Sequence, residues 1–261
     1  MLAIVGKGLS ARRLQSELDC LRFYRNREFL NGRWRSIRRN MRPDYLLHWG
    51  ETSNLMAVRE PVLNREIVFD KLTQLRHFHT SEIPAPQLFS TIPPFNETKL
   101  WLGRKRRHVG GTDILGPYHF RELCGDLGLG RADFGVEYIN KTHEYRVHVF
   151  RGEVIRIARK VWDDTKGPQP ASPAWNIDSG YKFRYALNLR ASTKELLTDL
   201  GLRAIVALRM DFGAVVIVGR RGTNGRLQFW VLEVNSAPGI ESNQNTVAVY
   251  VEAIRRWTNE R

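Results

Sequence analysis

Apolar positions recur along the chain at two periods, and the switches between them mark out the elements. Leu2–Val5 is a short apolar run closed by Gly6, which predicts a buried strand. A helix is expected next, from an N-cap at Ser10 through Leu18. Tyr45-Leu46-Leu47-His48-Trp49 reads as a second strand ending at Gly50, so residues 1–62 are expected to form a small α/β lobe. Asp70 to His79 puts Leu72, Leu75 and Phe78 on one helical stripe. The following Ile83-Pro84-Ala85-Pro86 imposes extended backbone, because proline fixes its own φ and restricts the residue before it.

Leu100-Trp101-Leu102 reads as a strand running into the basic, glycine-containing stretch Gly103–Gly111. A helix is expected around Tyr118–Leu127 and a strand over Phe134–Ile139. Alternation is clearest in Glu144–Phe150 and Glu153–Val161, a hairpin turning at Arg151-Gly152. Thr193–Leu200 predicts a helix stopped by Gly201. Phe212–Val218 and Leu227–Asn235 form a second hairpin, and an amphipathic helix over Val247–Trp257 follows. This mixture, with hairpins concentrated late, is an α+β (mixed α/β) pattern.

Composition adds limits. With 42% hydrophobic and 26% charged residues the chain matches ordinary globular domains, which argues against disorder as its main state. No apolar run approaches the ~18–20 residues of a membrane span, and the stretch Met1–Gly8 is too short for a secretory leader. Cys20 and Cys124 make no disulfide framework and read as free thiols in a reducing compartment, so cytoplasm is the expected location. The net charge of +14 is less ordinary. Residues 1–43 hold 11 Lys/Arg against three acids. That field suits phosphates, nucleic acid or an acidic substrate, and is equally compatible with a solvated basic face.

Strand parity then locates candidate chemistry. Glu144, Arg146 and His148 share one face of the middle hairpin, while Tyr145, Val147 and Val149 share the other. On the return strand Arg156 and Lys160 fall with Val154 and Ala158. Such a face suits a polyanion, and also suits a charged outer surface. Glu233 and Asn235 share parity at the end of Phe229-Trp230-Val231-Leu232, and Pro238-Gly239 turns the chain after them. Two hard oxygen donors so spaced fit Mg²⁺ bridging phosphates, and they fit an Asx-type strand end equally well. Arg104 or Lys105, beside Gly110-Gly111, fits phosphate binding, although no Walker sequence follows, and four consecutive basic residues in a loop also read as a solvated run. A metal site at His77, His79 and His108 is rejected, because no acidic or Cys partner stands at ligand spacing.

The ordered set resembles the ATP-grasp superfamily over about residues 65–245: helix, Ile-Pro-x-Pro, basic strand, Gly loop, Val136-Glu137-Tyr138-Ile139, the Glu144–Val149 hairpin, and Glu233-Val234-Asn235-Ser236-Ala237-Pro238-Gly239. It is most similar to the branch whose enzymes ligate glutamate to a ribosomal protein. The resemblance implies a basic N-terminal pre-grasp lobe (1–62) and two α+β subdomains (63–135 and 136–261) clasping a nucleotide. It implies ATP and Mg²⁺ as cofactors, with Arg104 or Lys105, Gly110 and Gly111 at the phosphates and Glu137, Tyr138, Ile139 and Glu144 holding the nucleotide. Arg146 and Lys160 would grip the transferring phosphoryl group, Asn176 would belong to the loop after the hairpin, and Glu233 and Asn235 would hold Mg²⁺. The implied reaction is ADP-forming carboxylate–amine ligation through an acyl-phosphate, on an amino acid or peptide, with an acidic peptide or protein as a candidate partner.

One position departs from this pattern. Where the family carries a metal-binding Asp on the late strand, this chain has Val216, and Asp211, five residues away, has the opposite parity. Two functions therefore remain open: a ligase, or a catalytically attenuated ATP-grasp-like protein whose basic surface binds nucleic acid or a protein partner.

Overall fold

The computed structural model describes residues 1–6, 8–23, 43–50, 60–89, 98–106, 114–128, 130–169, 174–185, 187–222, 225–240 and 242–260. Gly110, Gly111 and most arginines of the basic amino-terminal segment (Arg25, Arg27, Arg33, Arg35, Arg38, Arg39 and Arg42) lie outside them. Among the described residues, strands and helices alternate through three sheets, as a mixed α/β chain should.

The first sheet is parallel, in the order β2 (Leu21–Phe23), β1 (Leu2–Gly6), β3 (Tyr45–Trp49), β4 (Val62–Leu63). Every residue of β3 is buried, the expected state of a continuous apolar strand in a parallel sheet. Helix α1 spans Gly8–Leu18, so Ser10 lies in its first turn and is not the N-cap. Its buried hydroxyl accepts instead from the Ile240 N–H at 3.2 Å, a tertiary donor that local sequence does not reveal. Asn64, fully buried and at φ 55°, clamps this lobe to the large sheet. Its amide oxygen accepts from the Asp211 and Phe212 N–H groups at 2.8 and 3.1 Å, and its Nδ2 donates to Phe212 O at 2.9 Å.

The second sheet is antiparallel, in the order β6 (Ile114–Tyr118), β5 (Trp101–Arg104), β7 (Phe134–Glu137). Before it comes α2 (Lys71–Thr80), capped by Asp70, whose carboxylate accepts from the Thr73 N–H at 2.9 Å. Helix α3 (Phe120–Gly128) packs on the sheet through Leu123. The strand expected to reach Ile139 stops at Glu137, and β6 has no counterpart in the periodicity because Gly116-Pro117 interrupts it.

The third sheet runs β10 (Tyr181–Arg184), β9 (Glu153–Trp162), β8 (His143–Phe150), β11 (Phe212–Arg221), β12 (Leu227–Asn235), all antiparallel. Arg151 and Gly152 both take positive φ, as a two-residue hairpin requires. Tyr145, Val147 and Val149 join Val215, Ile217 and Val231 in a core covered by α4 (Ala191–Ala207). Helix α4 does not end at Gly201. A Cβ there would sit 2.8 Å from Val147 Cγ1, so this glycine permits a close helix–sheet approach rather than a stop. The register shifts between His148 and Val149, pairing Val149 with Val154. The bulge turns Val154 away from the basic face and into the apolar core, correcting the simple parity reading. The last helix, α5 (Gln244–Thr258), packs with α1 and the first sheet, where Trp49 stacks on Phe212 at 5.2 Å.

Candidate functional site

Register brings the charged residues into rows across the large sheet. Val216 pairs with Glu233 on one side and Arg146 on the other, and Arg146 pairs in turn with Ala158. In the next row Val218 pairs with Glu144, which pairs with Lys160. Asn235 stands opposite Ala214, so it shares the face of Glu233 as the parity argument requires.

Helix α2 closes over this row. Lys71 makes an ion pair with Glu233 Oε2, and Arg104 from β5 reaches the same oxygen at 3.9 Å. One turn along, the buried Gln74 accepts from the Val234 N–H at 2.9 Å and donates to Val234 O at 3.1 Å. That pair fixes the strand position from which Glu233 projects. Pro84 O accepts from the Val231 N–H at 2.8 Å, so the Ile-Pro-x-Pro segment also holds this edge strand. Burial lowers the Lys71 pKa, and the facing Glu233 carboxylate opposes that shift.

Glu144 anchors a second cluster. It contacts Lys141 Nζ at 2.6 Å and Lys160 Nζ at 2.5 Å, and Lys160 also donates to Trp175 O at 2.7 Å. Burial alone would raise the Glu144 pKa, but the two lysines outweigh it and hold it below the ordinary carboxylate value. Lys141 lies 5.0 Å from the Trp175 ring centroid, and the Arg146 guanidinium 4.3 Å from that of Phe183. Through Lys141 this cluster reaches a narrow cleft between the second and third sheets. Its apolar walls include Leu102, Val136, Ile139, Val218 and Leu232, with Arg104 and Lys141 at the polar margin. A larger open groove of about 700 Å³ beside α5, between Glu17 and Arg255, shares no residue with these charges.

Of the residues singled out from the sequence, Arg104, Glu144, Arg146, Lys160, Glu233 and Asn235 converge on this face, and Tyr138, Ile139 and Glu137 line the cleft. The Glu137 carboxylate is also engaged by the Gln87 N–H at 3.3 Å and Lys99 at 3.6 Å. Lys105 is not brought in: its ammonium donates to Gly130 O at 2.6 Å and Asp133 at 3.2 Å. The strand ends at Arg104, and Lys105, just beyond it, is tied down by these partners, so only Arg104 of that pair reaches the site. Asn176 contributes its carbonyl, which accepts from the Ser179 and Tyr181 N–H groups.

Lys71 and Lys141 were not anticipated. Lys71 carried a usable signal, since a lysine in the first turn of a helix opposes the macrodipole and calls for a nearby acid. For Lys141 the signal was only its place three residues before Glu144.

Among the described residues, no group of three His, Cys, Asp or Glu is arranged to hold a metal. Glu233 and Asn235 supply two hard oxygens on one face, and Val216 stands where a second carboxylate would share them. That donor set fits a single Mg²⁺ completed by phosphate oxygens and water.

No protein-family model matches the chain. No curated protein matches it by sequence either. Solved structures do resemble it along almost its whole length. D-alanine–D-alanine ligase from Bacillus anthracis, complexed with ATP, is 15% identical with a TM-score of 0.63, covering 100% of this chain and 99% of that one. The ATP-grasp ligase PsnB, complexed with minimal precursor, Mg and ADP, is 14% identical with a TM-score of 0.66, covering 99% and 97%. N5-carboxyaminoimidazole synthetase from Staphylococcus aureus is 12% identical with a TM-score of 0.63, covering 97% of this chain and 76% of that one. The likeness runs along almost the whole chain, through all three sheets: the chain has the ATP-grasp fold.

Proposed function

We propose that this protein is an ATP-dependent carboxylate–amine ligase acting through an acyl-phosphate. The observation that carries this reading is the convergence of Lys71, Arg104, Arg146 and Lys160 around Glu233 and Glu144, at the polar end of an apolar cleft. Residues 1–62 are read as the pre-grasp lobe, and 63–135 and 136–261 as the subdomains that clasp the nucleotide. The base lies between Leu102, Val136 and Ile139 on one side and Val218 and Leu232 on the other, with Tyr138 at the margin. The polyphosphate runs toward Arg104, Lys71 and Arg146.

A carboxylate oxygen of the substrate attacks the γ-phosphorus and ADP leaves. The amine of the second substrate then adds to the acyl carbon, and inorganic phosphate departs. Arg146 and Lys160 offset charge on the transferring group, and Lys71 and Arg104 exchange their contact with Glu233 for contacts with phosphate oxygens. Glu233 and Asn235 would hold Mg²⁺, which would supply further neutralisation of the phosphates. Activity on an amino acid or peptide follows the neighbours: one is a D-alanine ligase and another is complexed with a precursor. The free thiols Cys20 and Cys124 fit a reducing cytoplasmic setting.

A second reading has one observation in its favour. With Val216 between Glu233 and Arg146, the metal site lacks a carboxylate, which fits a catalytically attenuated ATP-grasp-like protein that uses its basic surface for nucleic acid or a protein partner. Calorimetry with Mg·AMP-PNP, followed by ADP release from Mg·ATP with mixed amino acids and peptides, separates the two. Binding with turnover supports the ligase. Binding without turnover, together with a steep salt dependence of nucleic-acid binding, supports the second reading. Failure of AMP-PNP to bind overturns the ligase and leaves the second reading to stand or fall on nucleic-acid and partner binding.

A further inference from the structure

Three buried side-chain nitrogens on the face that carries Arg146 have no hydrogen-bond partner: Arg146 Nε, His148 Nε2 and Arg156 Nε. They are neighbours in the sheet. His148 pairs directly with Arg156, and Arg146 lies two residues along the same strand, opposite Ala158. Val216 and Ala214 flank this trio from β11 with apolar side chains. Both guanidinium carbons lie over aromatic rings of one segment, Arg146 4.3 Å from the Phe183 centroid and Arg156 5.1 Å from that of Tyr185. A cation–π contact of this kind helps hold a guanidinium in place while leaving N–H groups to seek an acceptor.

The neighbouring cations are differently placed. Lys71 is paired with Glu233, and Lys141 and Lys160 with Glu144. Neither Arg146 nor Arg156 has a carboxylate within ion-pair range among the described residues. Glu144 and Glu233 act on Arg146 only from beyond contact range, and each is already paired with lysine, so an anion in direct contact would stabilise the two half-buried guanidiniums further. His148 does not add to that charge, because burial, with Arg146 and Arg156 alongside, pushes its pKa down to about 3. Its Nδ1 lies 3.1 Å from the Tyr250 hydroxyl. When that hydroxyl donates to Nδ1, the neutral ring carries its proton on Nε2 and becomes a third donor beside the two guanidiniums.

We propose that His148 and Arg156, together with Arg146, form a binding subsite for a substrate carboxylate, adjoining the phosphoryl end of the nucleotide cleft. The inference rests on the reading of that cleft as the nucleotide site, but the subsite is measurable without nucleotide. A planar carboxylate suits two neighbouring guanidiniums, and the three donors without a partner would satisfy its two oxygens. Arg146 then touches both ligands, and Arg156 with His148 only the carboxylate.

Calorimetric titration of the full chain with succinate, with its neutral diamide, with inorganic phosphate and with AMP-PNP tests this. Succinate is expected to bind the wild type without nucleotide, and more tightly than phosphate, while the diamide does not bind. Arg156→Gln and His148→Leu should each weaken succinate by roughly tenfold or more, as expected for a lost charge-assisted or buried hydrogen bond, and leave AMP-PNP affinity within about threefold. Arg156→Lys, which keeps the charge and loses the fork, should fall between. A thermal melt of each variant reports folding, and Arg156→Lys serves as the reporter if Arg156→Gln does not fold. Succinate binding that is absent from the wild type, or unchanged in both Arg156 variants, overturns the proposal. Tighter binding of phosphate than succinate, or equal loss of AMP-PNP and succinate in Arg156→Gln, assigns Arg156 to the phosphates instead. Succinate binding without AMP-PNP binding would overturn the nucleotide reading alone.

Discussion

Val216 stands directly opposite Glu233 in the β11–β12 pair, and it is 7% exposed. On its other side is Arg146, so an apolar side chain separates the one carboxylate suited to metal from a guanidinium suited to phosphate. A carboxylate at this position would touch both.

Val216→Asp is therefore expected to strengthen the Mg²⁺ dependence of nucleotide binding. The new carboxylate shares the ion with Glu233, and Arg146 offsets its burial. AMP-PNP affinity titrated against Mg²⁺ should show tighter metal coupling by about tenfold, roughly the effect of one added charged contact. An unchanged Mg²⁺ profile would show that the ion, where it binds, does not reach this row.

Gln74 reads the backbone of the strand that presents Glu233, through both Val234 N and Val234 O. Gln74→Leu leaves those two buried groups unsatisfied and should cost roughly 2–4 kcal/mol in urea unfolding. Nucleotide affinity should fall with it, because Glu233 loses its fixed projection. Lost stability with intact affinity would separate the staple from the site.

His148 predicts an acid-sensitive fold. Its folded pKa of about 3 lies below the ordinary 6.5, so the unfolded chain takes up the proton first. Stability from this residue is fully present above pH 6.5 and declines as pH falls toward 3. The steepest slope of a single such group is about 1.4 kcal/mol per pH unit. Urea unfolding between pH 7 and pH 5 should show this decline in the wild type and a flatter profile in His148→Leu. Equal slopes in the two proteins would mean that His148 is not held neutral.

Glycines within helices should divide by what surrounds them. At Gly201 an added Cβ meets Val147 Cγ1 at 2.8 Å, so Gly201→Val should destabilise by about 1–3 kcal/mol through overpacking. At Gly125 in α3 no atom lies within 4 Å of an added Cβ, and Gly125→Ala should stabilise by roughly 0.5–1 kcal/mol through helix propensity. Denaturant titrations of the two variants should move in opposite directions.

The parts of the fold that were legible are those with strong local periodicity. Strict alternation marks β8 and β9, and the apolar run at Tyr45–Trp49 marks a strand that is buried on both faces. Tyr181–Arg184 escaped because its alternation is only four residues long and its cations point outward. The stop assigned to Gly201 and the face assigned to Val154 failed for one reason. A glycine can serve close packing as well as a cap, and a bulge resets parity without a mark in the side-chain pattern.

The sequence by itself determined the chemistry available: the Glu233 and Asn235 oxygens on one face, the basic residues of the middle hairpin, and a valine where a third oxygen donor was expected. The first two follow from strand parity, which is local, and the third from the resemblance to the ATP-grasp superfamily. Only the tertiary structure decided which of these groups meet. Lys71 pairs with a carboxylate 162 residues away, and Arg104 is chosen over Lys105 because its face of β5 looks into the cleft. Arg156 sits beside His148 because a hairpin register places it there. Such contacts depend on how sheets pack and pair, and no window of sequence contains both partners.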